Sequence, residues 1–216
     1  MKVKYLGHSC FLINGELLID PFISGNPKCP FDPSEIKCKI ICVTHDHSDH
    51  LGDAFDIAAN TGATVVAIHE VAQEALSRGL NAEGMNIGGE ISVGEWKIKM
   101  VLALHSSNLG HPAGFVLEKD GKRIYHAGDT GLFGDMKLIG EDGLDLALLP
   151  IGDRYTMGTK DAIKAVEFLN PKMVIPMHYG TFPIINQSAD EFKKEFELKF
   201  PGKVIKVLEI GEEVDF

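Results

Sequence analysis

Cationic residues are scarce in this chain. Lys and Arg number 21 against 31 Asp and Glu, a formal net charge of -10. An acidic chain repels polyanions on average, so nonspecific binding of DNA or RNA is disfavoured, although a local basic groove stays open. Long apolar runs are missing too. None reaches the ~18 residues of a membrane span, so no membrane partner is expected. The first residues, MKVKYLGHSCFLI, alternate Lys2 and Lys4 with Val3 and Tyr5 and lead to no small-residue cleavage site. They read as a strand, not a signal peptide, and the expected location is cytoplasmic. Cysteine is sparse: Cys10, Cys29, Cys38 and Cys42. No C-x-x-C spacing occurs, and Cys10 and Cys42 fall in apolar runs where free buried thiols are common, which disfavours a cysteine metal or redox site.

What is present suits a globular α/β protein. The 216 residues are long enough to bury a substantial core and are read as one domain, 1-216. KVKYLG, SCFLING and ELLIDP read as successive antiparallel strands, with Asn14-Gly15 as a hairpin turn. A Gly/Pro/Asn-rich loop follows at 24-34. Ile40 to Thr44 has the short, β-branched pattern of a buried strand. Helices are predicted at DAFDIAANTG, stopped by Gly62, and at EVAQEALSRG, ended by Gly79, with TVVAIH a strand between them. Residues 89-107 return to strands. AGFVLEKDGKRIYHAGDTG reads as a hairpin turning at Asp120-Gly121, and LDLALLPIG and PKMVIPMHYG as two further buried strands. A helix from Thr159 to Leu169 takes Thr159 as its N-cap, and SADEFKKEFELKF forms a late helix capped by Ser188. KVIKVLEI is the predicted last strand. Both halves thus run from strands to strand-helix units, an order that lets two sheets pack together with helices outside.

Histidine is concentrated where the fourth strand ends. Of 9 histidines in the chain, His45, His47 and His50 lie within six residues, interleaved with Asp46 and Asp49. Packing gives no reason to group so many titratable side chains, and their uncompensated burial would be costly. Imidazole nitrogen and carboxylate oxygen suit zinc, and also manganese, iron or nickel. Four such side chains do not easily face one ion. Two neighbouring ions sharing a bridging carboxylate fit better, and His105, Asp129 and His178, each following a predicted strand, complete the supply. His69 and His111, standing alone, read as ordinary structural histidines.

The run T-H-D-H-S-D-H-L-G, Thr44 to Gly52, resembles the H-x-H-x-D-H signature of the metallo-β-lactamase superfamily. The later His105, the Asp129 of HAGDTG and the His178 of PMHYG follow in the superfamily's order, so the resemblance spans nearly the whole chain. GHSCF and LIDP bring it nearer to the small stand-alone hydrolases that include ascorbate-phosphate lactonase-like proteins, and nearest to the UPF0173 metal-dependent hydrolases. The resemblance implies an α/β protein with an αββα four-layer sandwich and a dinuclear site at one edge. By it, His45, His47 and His105 hold the first ion, Asp49, His50 and His178 the second, and Asp129 bridges. Two divalent ions are expected, zinc first. The implied chemistry is a metal-bridged hydroxide acting on a small ester, lactone, amide or phosphodiester. No cysteine occupies the bridging position of true β-lactamases, and His47 stands where redox-active di-iron relatives tend to carry an acid, which favours hydrolysis.

Other residues are more open. Asp49 and Asp129 are candidates for steering protons as well as for coordination, and His8 is a candidate catalytic group beside the site. Asp20 and Asp46 read equally as carboxylates orienting ligand histidines or as turn and surface residues. In PIGDRYTMGTKDA, Asp153, Arg154, Tyr155 and Thr156 are candidates for the pocket wall. There Arg154 and the following helix N-terminus are possible readers of an anionic substrate. A nuclease and a non-catalytic metal-binding module are the competing functions. The partner expected is a small molecule, with a homo-oligomer left open.

Overall fold

Asn14 and Gly15 both adopt left-handed backbone, with φ of 50° and 64°, and close the first hairpin as their pairing predicts. Asp120 and Gly121 do the same later, with φ of 52° and 69°. Around these turns the computed structural model, which describes residues 1-216, arranges two sheets of seven strands. In the first half β1 (Lys2–Gly7), β2 (Cys10–Ile13) and β3 (Leu17–Ile19) run antiparallel. Then β4 (Ile40–Val43), β5 (Thr64–Ile68) and β6 (Ala82–Met85) add in parallel, linked by α1 (Ala54–Thr61) and α2 (His69–Ser77).

The second half repeats the plan. β7 (Glu90–Val93), β8 (Trp96–Leu102), β9 (Ala113–Lys119) and β10 (Lys122–His126) are antiparallel. β11 (Leu146–Pro150), β12 (Met173–Met177) and β13 (Val204–Ile205) continue in parallel. α3 (Met136–Gly140), α4 (Thr159–Leu169) and α5 (Ala189–Lys199) belong to this half. α1 and α2 pack on β4 to β6, α4 on β11 and α5 on β13, with α3 against α4. The result is the four-layer αββα sandwich. Its core is one connected cluster of 59 buried apolar residues. Fully buried side chains such as Phe11, Phe115 and Leu148 each contribute roughly 1.5–3 kcal/mol by leaving water. The sheets also meet through polar chemistry, since the Nε2 of His126 on β10 lies 2.9 Å from the Ser9 carbonyl beside β2.

Some predicted details change. The N-cap of α4 is Gly158, not Thr159, which is the first helical residue. A side chain at 158 would press on Asp153, so the cap position takes glycine and makes no side-chain hydrogen bond. His69 opens α2 instead of ending β5. The predicted KVIKVLEI strand is only the two residues of β13. The chain then crosses to the other sheet, where Gly211 donates to the Tyr5 carbonyl at 2.7 Å and β14 (Glu213–Asp215) pairs with β1. That crossing satisfies an edge which β1 would otherwise leave open. β6 and α3 are additions, one carrying the unpatterned sequence AEGM and the other only five residues long. Ser188 caps α5 as predicted, accepting from the Glu191 amide at 3.2 Å. No helix is long and apolar enough to cross a membrane.

Candidate metal centre

β1, β3, β4, β8, β10 and β12 all point their C-terminal ends at one edge of the sandwich, and each hands over a polar residue there. β1 is followed by His8, β3 by Asp20, β4 by Thr44 to His50, and β12 by His178. His105 and Asp129 each lie three residues past the end of a strand, β8 and β10 respectively. Strands anchored in a core hold such side chains more rigidly than a free loop can. Two short backbone devices aim them. Gly128, with φ of 60°, packs so closely on the Ala113 carbonyl that a Cβ would stand 2.7 Å from it, and this lets Asp129 turn inward. His8 and His178 both hold left-handed φ of 56°, unusual for non-glycine residues, and the His178 amide donates to the His8 carbonyl at 2.9 Å. That bond ties the two sheets together at the site.

The seven predicted ligands are all brought together. His45, His47 and His105 form one set whose donor atoms lie within 4.8 Å of one another. Asp49, His50 and His178 form a second, which His8 also joins. Asp129 lies between the sets: its oxygens are 3.2 Å from His50 Nε2, 3.0 Å from His178 Nε2 and 3.6 Å from His105 Nε2. His69 and His111 are exposed and stand apart. His50 Nε2 and Asp129 Oδ1 are buried, and neither completes an aligned hydrogen bond. Buried polar atoms ordinarily find partners. Unsatisfied lone pairs converging from imidazole and carboxylate are the donor set that divalent ions such as zinc require, so these residues fit a metal.

The electrostatics agree. Burial disfavours a cation on His50, yet Asp129 and Asp20 flank it and hold its pKa well above the ordinary range. Burial also disfavours the Asp129 anion, but His50 and His178 keep it well below. The two carboxylates therefore favour a positive charge at this point, proton or metal. Burial lowers His45 to about 3, with His50 adding to the effect, and lowers His8 to about 4. Neutral imidazoles are the form that ligates.

Partners behind the donors decide several open readings. Asp20 is fully buried and is no ordinary turn residue. It accepts from the Thr44 amide at 2.8 Å and the Thr44 hydroxyl at 2.7 Å, and its Oδ2 lies 2.7 Å from His50 Nδ1. This contact fixes which nitrogen of His50 faces the centre. Thr44, which opens the motif but carries no ligand atom of its own, also has its Oγ1 3.0 Å from His45 Nδ1. Asp46 points elsewhere. It accepts from the Ser107 hydroxyl and the amides of Asn108 and Leu109 at 2.8 to 3.1 Å, pinning the His45–His47 stretch to the loop after His105. His8 sits behind Asp49, with Nε2 3.2 Å from its Oδ2 and Nδ1 2.9 Å from Thr181 Oγ1. Thr181 is another partner with no local signal, since it joins His8 across 173 residues.

A cavity of about 360 Å³ opens over the donors. His47, Asp49, His105, Asp129 and His178 form its floor; Ser106, Tyr155, Phe182, Ile184 and Ile185 form the rest. Of the four residues proposed from 153 to 156, only Tyr155 lines it. Arg154 is not a lining residue; its guanidinium lies over the Tyr155 ring at 5.6 Å. The first turn of α4 does not line the cavity either. Asp153 and Arg154 take left-handed φ of 59° and 49°, a bend that the sequence does not announce.

Paired mixed sheets, flanking helices and a His/Asp cluster at the strand ends define a metallo-β-lactamase fold. The family model described as Beta-lactamase superfamily domain matches residues 2–178. A UPF0173 metal-dependent hydrolase of Methanosarcina barkeri is 52% identical over 227 residues, covering 100% of this chain and 98% of the relative. One from Archaeoglobus fulgidus is 44% identical, covering 100% and 99%. Among solved structures, Igni18, a metallo hydrolase from the hyperthermophilic archaeon Ignicoccus hospitalis, superposes with a TM-score of 0.92 at 40% identity, covering 99% of this chain and 97% of that one. The chain belongs to the UPF0173 metal-dependent hydrolases of the β-lactamase superfamily.

Proposed function

We propose that the cluster holds two divalent ions, zinc first among them, and that the protein hydrolyses a small ester, lactone, amide or phosphodiester. The observation that carries this reading is the position of Asp129 between two donor sets, within 3.6 Å of a histidine from each. His45, His47 and His105 would hold one ion, Asp49, His50 and His178 the other, and Asp129 both. Bound there, the ions would supply Lewis acidity, which makes water a nucleophile near neutral pH and polarises a carbonyl or phosphoryl oxygen.

The chain's own residues do the positioning. Asp20 and Thr44 orient His50 and His45. His8 steadies the Asp49 carboxylate through its 3.2 Å contact and packs against His178 with ring centroids 4.1 Å apart. We assign His8 as a positioning residue, because it lies behind Asp49 and does not line the cavity. The cavity opens beside the donors and admits a small substrate to them. The nuclease reading is weaker, because no Lys or Arg lines this cavity to follow a polyanionic backbone.

Elemental analysis of protein prepared without chelator tests the proposal. Two equivalents of a divalent metal per chain are expected, with turnover of a test ester or phosphodiester that disappears on chelation and returns on metal addition. A chain that takes up no metal on reconstitution would refute it.

A further inference from the structure

The wall of the cavity carries information that its floor does not. Besides the donors, the cavity is lined by Phe182, Ile184, Ile185 and the ring of Tyr155. Tyr155 is 52% exposed and Ile184 48% exposed, large apolar surfaces turned to solvent beside a polar floor. The segment that carries Phe182, Ile184 and Ile185 is held in place. The Gly180 amide donates to the Ile185 carbonyl at 2.7 Å, and the Ile185 amide to the Phe182 carbonyl at 3.1 Å, closing a short turn. Phe182 packs on Phe22 and on His8, with ring centroids 6.2 and 5.9 Å apart. None of the ten lining residues is Lys or Arg, and the only formally charged side chains that are not imidazoles are Asp49 and Asp129.

We infer that the substrate is an uncharged acyl compound, an ester, lactone or amide, whose apolar group lies against Phe182 and Ile184 while its carbonyl meets the donor floor. This deepens the hydrolase reading and rests on it. An apolar wall with a few convergent polar groups selects a ligand that is apolar at one end and polar at the other. An anionic group on the substrate would find no Lys or Arg on the wall and would leave water without compensation. The wall thus works for a neutral substrate and against its carboxylate-bearing analogue, through the same residues.

The experiment separates the wall from the chemistry. Three hydroxamates share one metal-binding group: acetohydroxamate, benzohydroxamate and the monohydroxamate of succinic acid. Their Kd values are measured by calorimetry on zinc-reconstituted protein, with the metal content of the same sample determined. Benzohydroxamate is expected to bind about tenfold or more tighter than acetohydroxamate, as burial of an aryl group on an apolar wall requires. The succinate derivative is expected to gain nothing. Ile184→Lys, at an exposed position, should erase the benzo advantage and improve binding of the succinate derivative. Phe182→Ala should erase the benzo advantage alone, and Arg154→Ala should leave the order unchanged. Tighter binding of the succinate derivative to the parent protein, or a benzo advantage that survives both wall variants, would overturn the inference; with two metals per chain, the hydrolase reading would still stand. Absence of both metal and hydroxamate binding would overturn both.

Discussion

The two ends of the sandwich handle charge in opposite ways. At the end away from the cavity, acids meet bases. Glu16, in the β2–β3 turn, pairs with Lys39 at 2.8 Å and with Lys119, which also reaches Glu95 at 3.0 Å. Asp145, ahead of β11, pairs with Lys172 at 2.9 Å and accepts from the Arg123 amide at 3.0 Å. At the cavity end, Asp20, Asp49 and Asp129 stand among histidines, with no Lys or Arg paired to any of them. One end satisfies its charges internally. The other leaves His50 Nε2 and Asp129 Oδ1 buried without a hydrogen-bond partner. The contrast is thermodynamic: the first arrangement is complete in the folded chain, whereas the second, on the two-ion proposal, would make stability depend on a ligand.

The sharpest way to break the comparison is Asp129→Ala. It should lower metal content below two equivalents and abolish turnover, to about the uncatalysed rate, because the carboxylate placed between the two donor sets is gone. Elemental analysis and steady-state assay on the same preparation would check it; a fully metallated, active variant would remove Asp129 from its bridging role. Chelation should come next in size. Metal bound only by the folded state stabilises it by about 2.7 kcal/mol at a hundredfold excess over Kd. The metal-loaded protein should therefore lose several degrees of Tm on chelation, and Asp129→Ala much less, as scanning calorimetry would show. Asp20→Asn should be milder still. It keeps the shape but weakens the contact that orients His50, so metal affinity should fall about 10- to 100-fold with the fold intact. Competition with a chromogenic chelator would measure it, and unchanged affinity would reduce Asp20 to a bond holding Thr44.

The same contrast explains what was legible in the amino-acid order. His45, His47, Asp49 and His50 are local, so their spacing alone exposes them. His105, Asp129 and His178 could be joined to them because each follows a recognisable strand. The hairpin turns at Asn14-Gly15 and Asp120-Gly121 were readable because glycine and its partner take a backbone few other residues accept. Contacts made across the fold were not. Thr181 meets His8 across 173 residues, and β14 finds β1 only once both sheets exist. Phe182 and Ile184 look like any loop apolar residues until the 180–185 turn sets them beside the donors. Arg154 shows the converse: its charge type is visible in the sequence, but the left-handed bend at 153 and 154 that accompanies its packing on Tyr155 is not. Residue type is local information, whereas what a side chain touches belongs to the whole chain.

The smallest expected effect tests the other end. Lys119 and Lys39 hold the Glu16 carboxyl at about 2, below its ordinary 4.5. A carboxylate whose folded pKa is depressed contributes stability that is fully present above its unfolded pKa. That contribution should be intact above about pH 4.5 and decline as pH falls toward 2. Glu16→Gln removes the charge but not the volume. It should cost about 0.5–1 kcal/mol at neutral pH, the range of a partly exposed ion pair, and less at high salt. Measured by urea unfolding, the gap between parent and variant should close as pH drops from 4.5 to 2, and both should keep the same metal content and the same response to chelator. A gap that persists at pH 2 would mean that Glu16 acts through packing and not charge. A change in metal content would mean that the two ends are coupled through the sheets, and that the separation between the self-satisfied end and the metal-dependent end does not hold.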